Sequence, residues 1–139
     1  MTRHDFPVSG ATAGRLAAAV SSLPGVAGAA VCDGSGGFVA AAGTITVEKD
    51  CPLATFVTQR ALAMTEIDDL RGAGPAVARG ILETVVAYGP ESDLVVAPRT
   101  NALLVAVMRS SSGESAVQAV GDVTTRYLPL QDPRRPHRS

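Results

Sequence analysis

Val26-Ala27-Gly28-Ala29-Ala30-Val31-Cys32, then Asp33-Gly34-Ser35-Gly36, then Gly37-Phe38-Val39-Ala40-Ala41-Ala42: two apolar runs of strand length flank four residues that favour a chain reversal. Aspartate, serine and glycine supply the backbone freedom and local hydrogen bonding of a tight turn, so the stretch predicts a β-hairpin. Just upstream, Thr12 to Leu23 places Leu16, Val20 and Leu23 on one helical face, with Thr12 available as N-cap and Pro24-Gly25 as a stop. A short amphipathic helix therefore leads into the hairpin.

Downstream, a loop from Gly43 to Cys51 runs to Pro52, which suits the first position of a helix because its missing N–H would be unpaired there, with Asp50 helping to cap that end. Counting about 100° per residue along Leu53 to Leu70 sets Leu53, Val57, Met64 and Ile67 on one stripe, widened by Phe56 and Ala61. Gly72-Ala73-Gly74-Pro75 breaks the pattern. Three strand-like runs follow, Ile81 to Tyr88, Leu94 to Arg99 and Ala102 to Arg109, joined by connections short enough to require antiparallel neighbours. After Ser110-Ser111-Ser112-Gly113, a last helix from Glu114 to Leu128 aligns Ala116, Val120, Val123 and Tyr127. The order α-β-β-α-β-β-β-α predicts an α+β fold, a five-stranded antiparallel sheet with helices on both faces. One domain is expected over residues 11–128, between a flexible N-terminus (1–10) and a flexible Arg/Pro-rich tail (129–139).

A chain of 139 residues is long enough for a self-sufficient core, and with 46% apolar residues, only 4% aromatic and no Trp, that core must be layered from Ala, Val, Leu and Ile. A formal net charge of −1 leaves no field to gather nucleic acid or anionic lipid. Lys49 is the only lysine against eleven arginines, which reads as coding bias. Cys32 and Cys51 lack the close spacing of a zinc or redox motif, and two cysteines make a poor disulfide framework for a domain this long, so a reducing compartment is expected. The opening residues carry no signal-peptide core, and the longest uncharged run, Leu16 to Cys32, is interrupted by Ser21, Ser22, Pro24 and Gly25. A cytoplasmic protein with no membrane insertion is the expectation.

Chemistry-bearing constellations are sparse. His4 and His137 fall in the expected tails, where nothing would hold a general base or metal ligand in place. Asp68 and Asp69 point about 100° apart on a helix, which suits surface acids better than a shared cation. Asp33-Gly34-Ser35-Gly36-Gly37 lacks the Gly-Lys-Ser/Thr of a phosphate loop, and Gly72-Ala73-Gly74 lacks the preceding strand of a dinucleotide fingerprint. No catalytic residue, cofactor or metal site is expected, and the chain reads as a binding protein, not an enzyme.

Two features call for a partner. Arg60 falls at the edge of the apolar stripe, in the sector of Leu53, Phe56, Met64 and Ile67, where its methylenes either pack while the guanidinium reaches out, or anchor another chain. The run Ile81 to Tyr88, with Leu82, Glu83, Thr84 and Val86, has no upstream partner in sequence and carries one charge, with neither lysine nor proline to discourage a foreign strand. Pairing across a two-fold axis would cover it, so a homodimer is expected through Arg60, Phe56, Met64, Ile67, Leu82, Glu83, Thr84 and Val86.

From about residue 12 to 128 the chain resembles the roadblock/dynein light chain family. Leu23-Pro24-Gly25-Val26-Ala27-Gly28-Ala29-Ala30-Val31-Cys32-Asp33-Gly34-Ser35-Gly36 is similar to the family's Gly-Val-x-Gly-Ala strand and Asp-x-x-Gly turn. The long alanine-containing helix after it, and the run Ala102 to Met108 followed by a small-residue loop and a helix, extend the similarity. Cys32, where the family commonly has an aliphatic or small residue, and the Gly/Ala/Pro-rich stretch Gly72 to Gly80 depart from it. The resemblance implies a homodimer whose sheets join through edge strands with the long helices side by side. It also implies a platform for Ras-like small GTPases, in bacterial relatives sometimes beside a sensor kinase-like protein, with no shared catalytic residues to carry over. The alternative of another class is a small-ligand sensor domain of profilin-like architecture, which would need a cavity with convergent polar groups between sheet and helix.

Overall fold

The computed structural model describes residues 8–33, 35, 37–69, 84–89, 92–100, 102–109 and 113–129, and for 65–69 the helical backbone alone. Along the chain come α1 (Gly10–Ser21), β1 (Val26–Asp33), β2 (Phe38–Gly43), α2 (Val47–Asp69), β3 (Val85–Ala87), β4 (Leu94–Pro98), β5 (Ala102–Met108) and α3 (Glu114–Tyr127). The strands form one antiparallel sheet in the order β2-β1-β5-β4-β3. Strand β5 occupies its middle, flanked by β1 and β4, and β2 and β3 are its edges among the described residues.

Alternation along the central strands separates two cores, because successive side chains of a strand point to opposite faces. Val31, Val95, Ala97, Leu104, Ala106 and Met108 face α1 and α3, where they meet Leu16, Ala17, Val20 and Val120. Ala30, Cys32, Leu94, Val96, Leu103 and Val105 face α2, where they meet Cys51 and Ala54. Both faces of the sheet are thus covered by helices, and the largest fully buried side chains are Leu16, Leu104 and Met108.

The hairpin is built as its sequence requires. Asp33 Oδ1 accepts from the N–H groups of Ser35 (2.9 Å) and Gly37 (2.8 Å) and from the Ser35 hydroxyl (2.7 Å), while Asp33 N–H donates to Gly37 O at 2.8 Å. One carboxylate oxygen therefore accepts from three donors of the turn. At the other end of the hairpin Gly28 pairs with Gly43, and the backbone of Thr44 folds back so closely over Gly28 that a Cβ there would lie 2.6 Å from Thr44 N. Gly43 itself has φ +76°, in the left-handed region that glycine enters without penalty.

Element boundaries differ from the sequence reading at two helix starts. Helix α1 begins at Gly10 because Ser9, not Thr12, is its N-cap: the Thr12 N–H donates to Ser9 Oγ at 3.1 Å. Helix α2 begins at Val47, inside the expected loop, since Thr46 and Asp50 close on each other. The Asp50 N–H donates to Thr46 O (2.8 Å) and the Thr46 N–H to Asp50 Oδ2 (3.3 Å). Pro52 consequently stands within the helix, and the carbonyl it leaves without a donor belongs to the exposed Glu48.

The cysteines require a correction. Cys32 and Cys51 are joined as a disulfide with their Cα atoms 5.9 Å apart, contrary to the expectation of two unlinked thiols in a reducing compartment. Their separation of 19 residues gives no hint, because the distance is set by topology: the β1–β2 hairpin returns the chain so that the first turns of α2 lie over the end of β1. In the chain-entropy model, closing a loop of that length stabilises the fold by about 3 kcal/mol.

Candidate functional site

Helix α2 crosses one face of the sheet and touches all five strands. Its sheet-facing stripe is made of small residues: Cys51, Ala54 and Thr58 are buried, with Val47, Val57 and Ala61 half-buried beside them. Leu53, Phe56, Arg60 and Met64 lie within a sector about 80° wide on the far side of the helix. They face outward, with Leu53 40%, Phe56 57% and Met64 58% exposed. The guanidinium carbon of Arg60 stands 6.0 Å from the centroid of the Phe56 ring, at the outer limit of a cation–π contact. Ring and guanidinium thus form one amphipathic surface with Leu53 and Met64 at its ends.

The long apolar stripe of this helix is therefore visible in the sequence, but the side of it that meets the sheet is not. Only small side chains let α2 lie close across the strands, so the bulky ones are left outside. Covering three half-exposed side chains of this size would contribute about 1 kcal/mol each.

The second part of the surface is the β3 edge. Among the described residues β3 pairs only with β4, through Val85–Val96, Val86–Val95 and Ala87–Leu94. No charged residue or proline lies within Val85–Ala87 to blunt the edge. Because the first turns of α2 are tied to β1 while the helix also reaches β3, its later turns approach this edge.

Of the residues expected to meet a partner, Arg60, Phe56 and Met64 stand together on this row. The Ile67 position lies in α2, but its side chain is outside the described residues, as are Leu82 and Glu83 entirely. Thr84 and Val86 turn inward. Thr84 Oγ1 would lie 3.1 Å from a Cβ on Gly121 of α3, and Val86 packs against the core beneath α1 and α3. What those two positions offer a neighbouring strand is backbone. Two exposed aromatics escape sequence reasoning: Tyr88, which follows β3 and is 78% exposed, and Phe38, on the opposite edge strand. Tyr88 closes the expected strand, whereas β3 ends one residue earlier at Ala87.

Among the described residues no group of three His, Cys, Asp or Glu side chains stands where it could hold a metal ion, and no helix is long and apolar enough to cross a membrane. Thr58 Oγ1 is a buried oxygen with no hydrogen-bond partner among the described residues, enclosed between α2 and the sheet.

A five-stranded antiparallel sheet sandwiched between one long helix and a pair of helices defines the class: a two-layer-covered α+β domain. Its fold is that of the roadblock/LC7 domains. It is similar to MglB of Myxococcus xanthus (TM-score 0.60, 13% identity, 91% of this chain and 92% of that one). It is also similar to the gliding protein MglB of Thermus thermophilus (TM-score 0.62, 21% identity, 89% and 90%). A third likeness is to a Roadblock/LC7 domain from Streptomyces avermitilis (TM-score 0.58, 13% identity, 81% and 94%). One MglB structure is described as having a tetrameric arrangement. No family model matches the sequence, and no curated protein matches it.

Proposed function

We propose that this chain is a non-catalytic homodimeric scaffold that binds a Ras-like small GTPase and modulates its activity or localisation. The observation that carries the reading is the outward row Leu53, Phe56, Arg60 and Met64 on α2, a patch whose composition of aliphatic, aromatic and arginine side chains matches the centre of a protein interface. A two-fold axis beside β3 would pair one strand edge with its copy and bring the two α2 rows together, covering both liabilities with a single operation. The tetrameric arrangement of an MglB supports self-association in this fold. The GTPase partner rests on the resemblance to the roadblock/dynein light chain family and on the fold shared with MglB.

In this reading the protein acts by contact alone: it holds or deforms the GTPase, and any hydrolytic groups belong to the partner. The test is to mix the purified protein with a Ras-like GTPase from the same genome, loaded with GDP or with a non-hydrolysable GTP analogue, and to follow complex formation by size-exclusion chromatography with light scattering. A complex with one or both nucleotide states is expected. Absence of a complex with every such GTPase, together with a thermal shift produced by a small metabolite, would replace this reading with the ligand-sensor alternative.

A further inference from the structure

Helix α2 is attached to the sheet unlike the other helices. Helix α1 buries Ala13, Leu16, Ala17 and Val20 completely with no covalent help. Helix α2, nearly twice as long, offers the sheet Cys51, Ala54 and Thr58, and the last of these brings a hydroxyl oxygen with no partner among the described residues. Small side chains remove little apolar area from water, and an unsatisfied buried hydroxyl opposes docking. The Cys32–Cys51 bond is the covalent tie that holds the first turns of α2 to the sheet, beside a thin set of apolar contacts.

We propose that this bond is a redox latch on α2. Closed, it fixes the first turns of the helix over the end of β1 and so holds Leu53, Phe56, Arg60 and Met64 in one orientation. Opened, it leaves the first half of the helix free to lift, and the outward row loses its fixed geometry. The consequence for self-association rests on the homodimer reading above; the latch itself does not.

The opening reagent is a dithiol. Its first thiolate attacks one of the two sulfurs, breaking the Cys32–Cys51 bond and forming a mixed disulfide while the other cysteine leaves as thiolate. The second thiolate of the reagent then displaces the remaining cysteine, so the reagent leaves as its intramolecular disulfide. The two cysteines take up two protons. Because both cysteines are buried, attack waits for the first turns of α2 to rise, the motion that the bond restrains.

The experiment uses the full chain, with thiols blocked at cell lysis, and dithiothreitol as the reductant. Intact mass follows the gain of two hydrogens, hydrogen exchange follows the backbone, and sedimentation equilibrium follows self-association. Full reduction is expected to speed exchange across residues 47–64 by at least about tenfold, leaving the amides of β1 and β5 unchanged, and to raise the dimer dissociation constant by about tenfold or more. The C32A/C51A variant should match the reduced protein and ignore dithiothreitol, and should it fold poorly the reductant titration of the unaltered chain still decides. Two free thiols in the protein as isolated, or unaltered exchange at 47–64 after complete reduction, would overturn the latch. Faster exchange in a chain that is monomeric in both states would uphold the latch and overturn the homodimer reading.

Discussion

Gly28 is the position where a single hydrogen matters most. A methyl group there would run into the backbone of Thr44, which cannot swing aside because its N–H donates to Ala27 O at 2.9 Å. Gly28→Ala is expected to destabilise the fold by at least about 2 kcal/mol, measured as a lowered denaturation midpoint. Arg99 matters for a different reason. Its side chain donates to Leu128 O (2.9 Å), Pro98 O (2.7 Å) and Thr125 Oγ1 (3.0 Å), so one guanidinium ties the end of β4 to the C-terminal turn of α3. Arg99→Met keeps much of the packing and removes these bonds, and should cost about 1–2 kcal/mol, with faster hydrogen exchange confined to the last turn of α3. The role of Gly28 is partly legible, as part of a strand motif rich in glycine. That of Arg99 is not, because its partners lie up to 29 positions away along the chain.

At the scale of elements, the β1–β2 hairpin, β4, β5 and both short helices are legible in existence and type, since each is an apolar run or stripe bounded by turn residues, while Ile81 to Glu83 of the expected first meander strand lie outside the described residues. Helix α2 is legible in existence and type but not in orientation. Periodicity locates an apolar stripe, and only the close approach of the sheet decides that Cys51, Ala54 and Thr58 fit beneath the helix while Phe56 and Met64 do not. Its start is obscured because Pro52 reads as a beginning, whereas the Thr46–Asp50 pair closes the first turn earlier. The outward row gives a sharp prediction. Phe56→Asp combined with Met64→Asp should leave the stability of the isolated subunit within about 0.5 kcal/mol, because both side chains already face water, yet abolish self-association in sedimentation. Arg60→Ala should weaken association without abolishing it. If the doubly substituted chain instead unfolded, the row would belong to the subunit's own core.

At the scale of the whole molecule, the two cores divide the labour. The face packed by α1 and α3 contains the largest fully buried side chains, Leu16, Leu104 and Met108, while the helix on the other face is covalently tied and leaves Leu53, Phe56 and Met64 half-exposed on its far side. The edge of β3 is open among the described residues, and in the homodimer reading one symmetric contact covers it together with the outward row. Sedimentation equilibrium of the oxidised full chain, across micromolar concentrations, tests this most directly. The account predicts a mass twice the 14.1 kDa of one chain, falling to that of one chain when Phe56 and Met64 are both replaced by aspartate. A mass of 14.1 kDa at every concentration for the unaltered chain would contradict it.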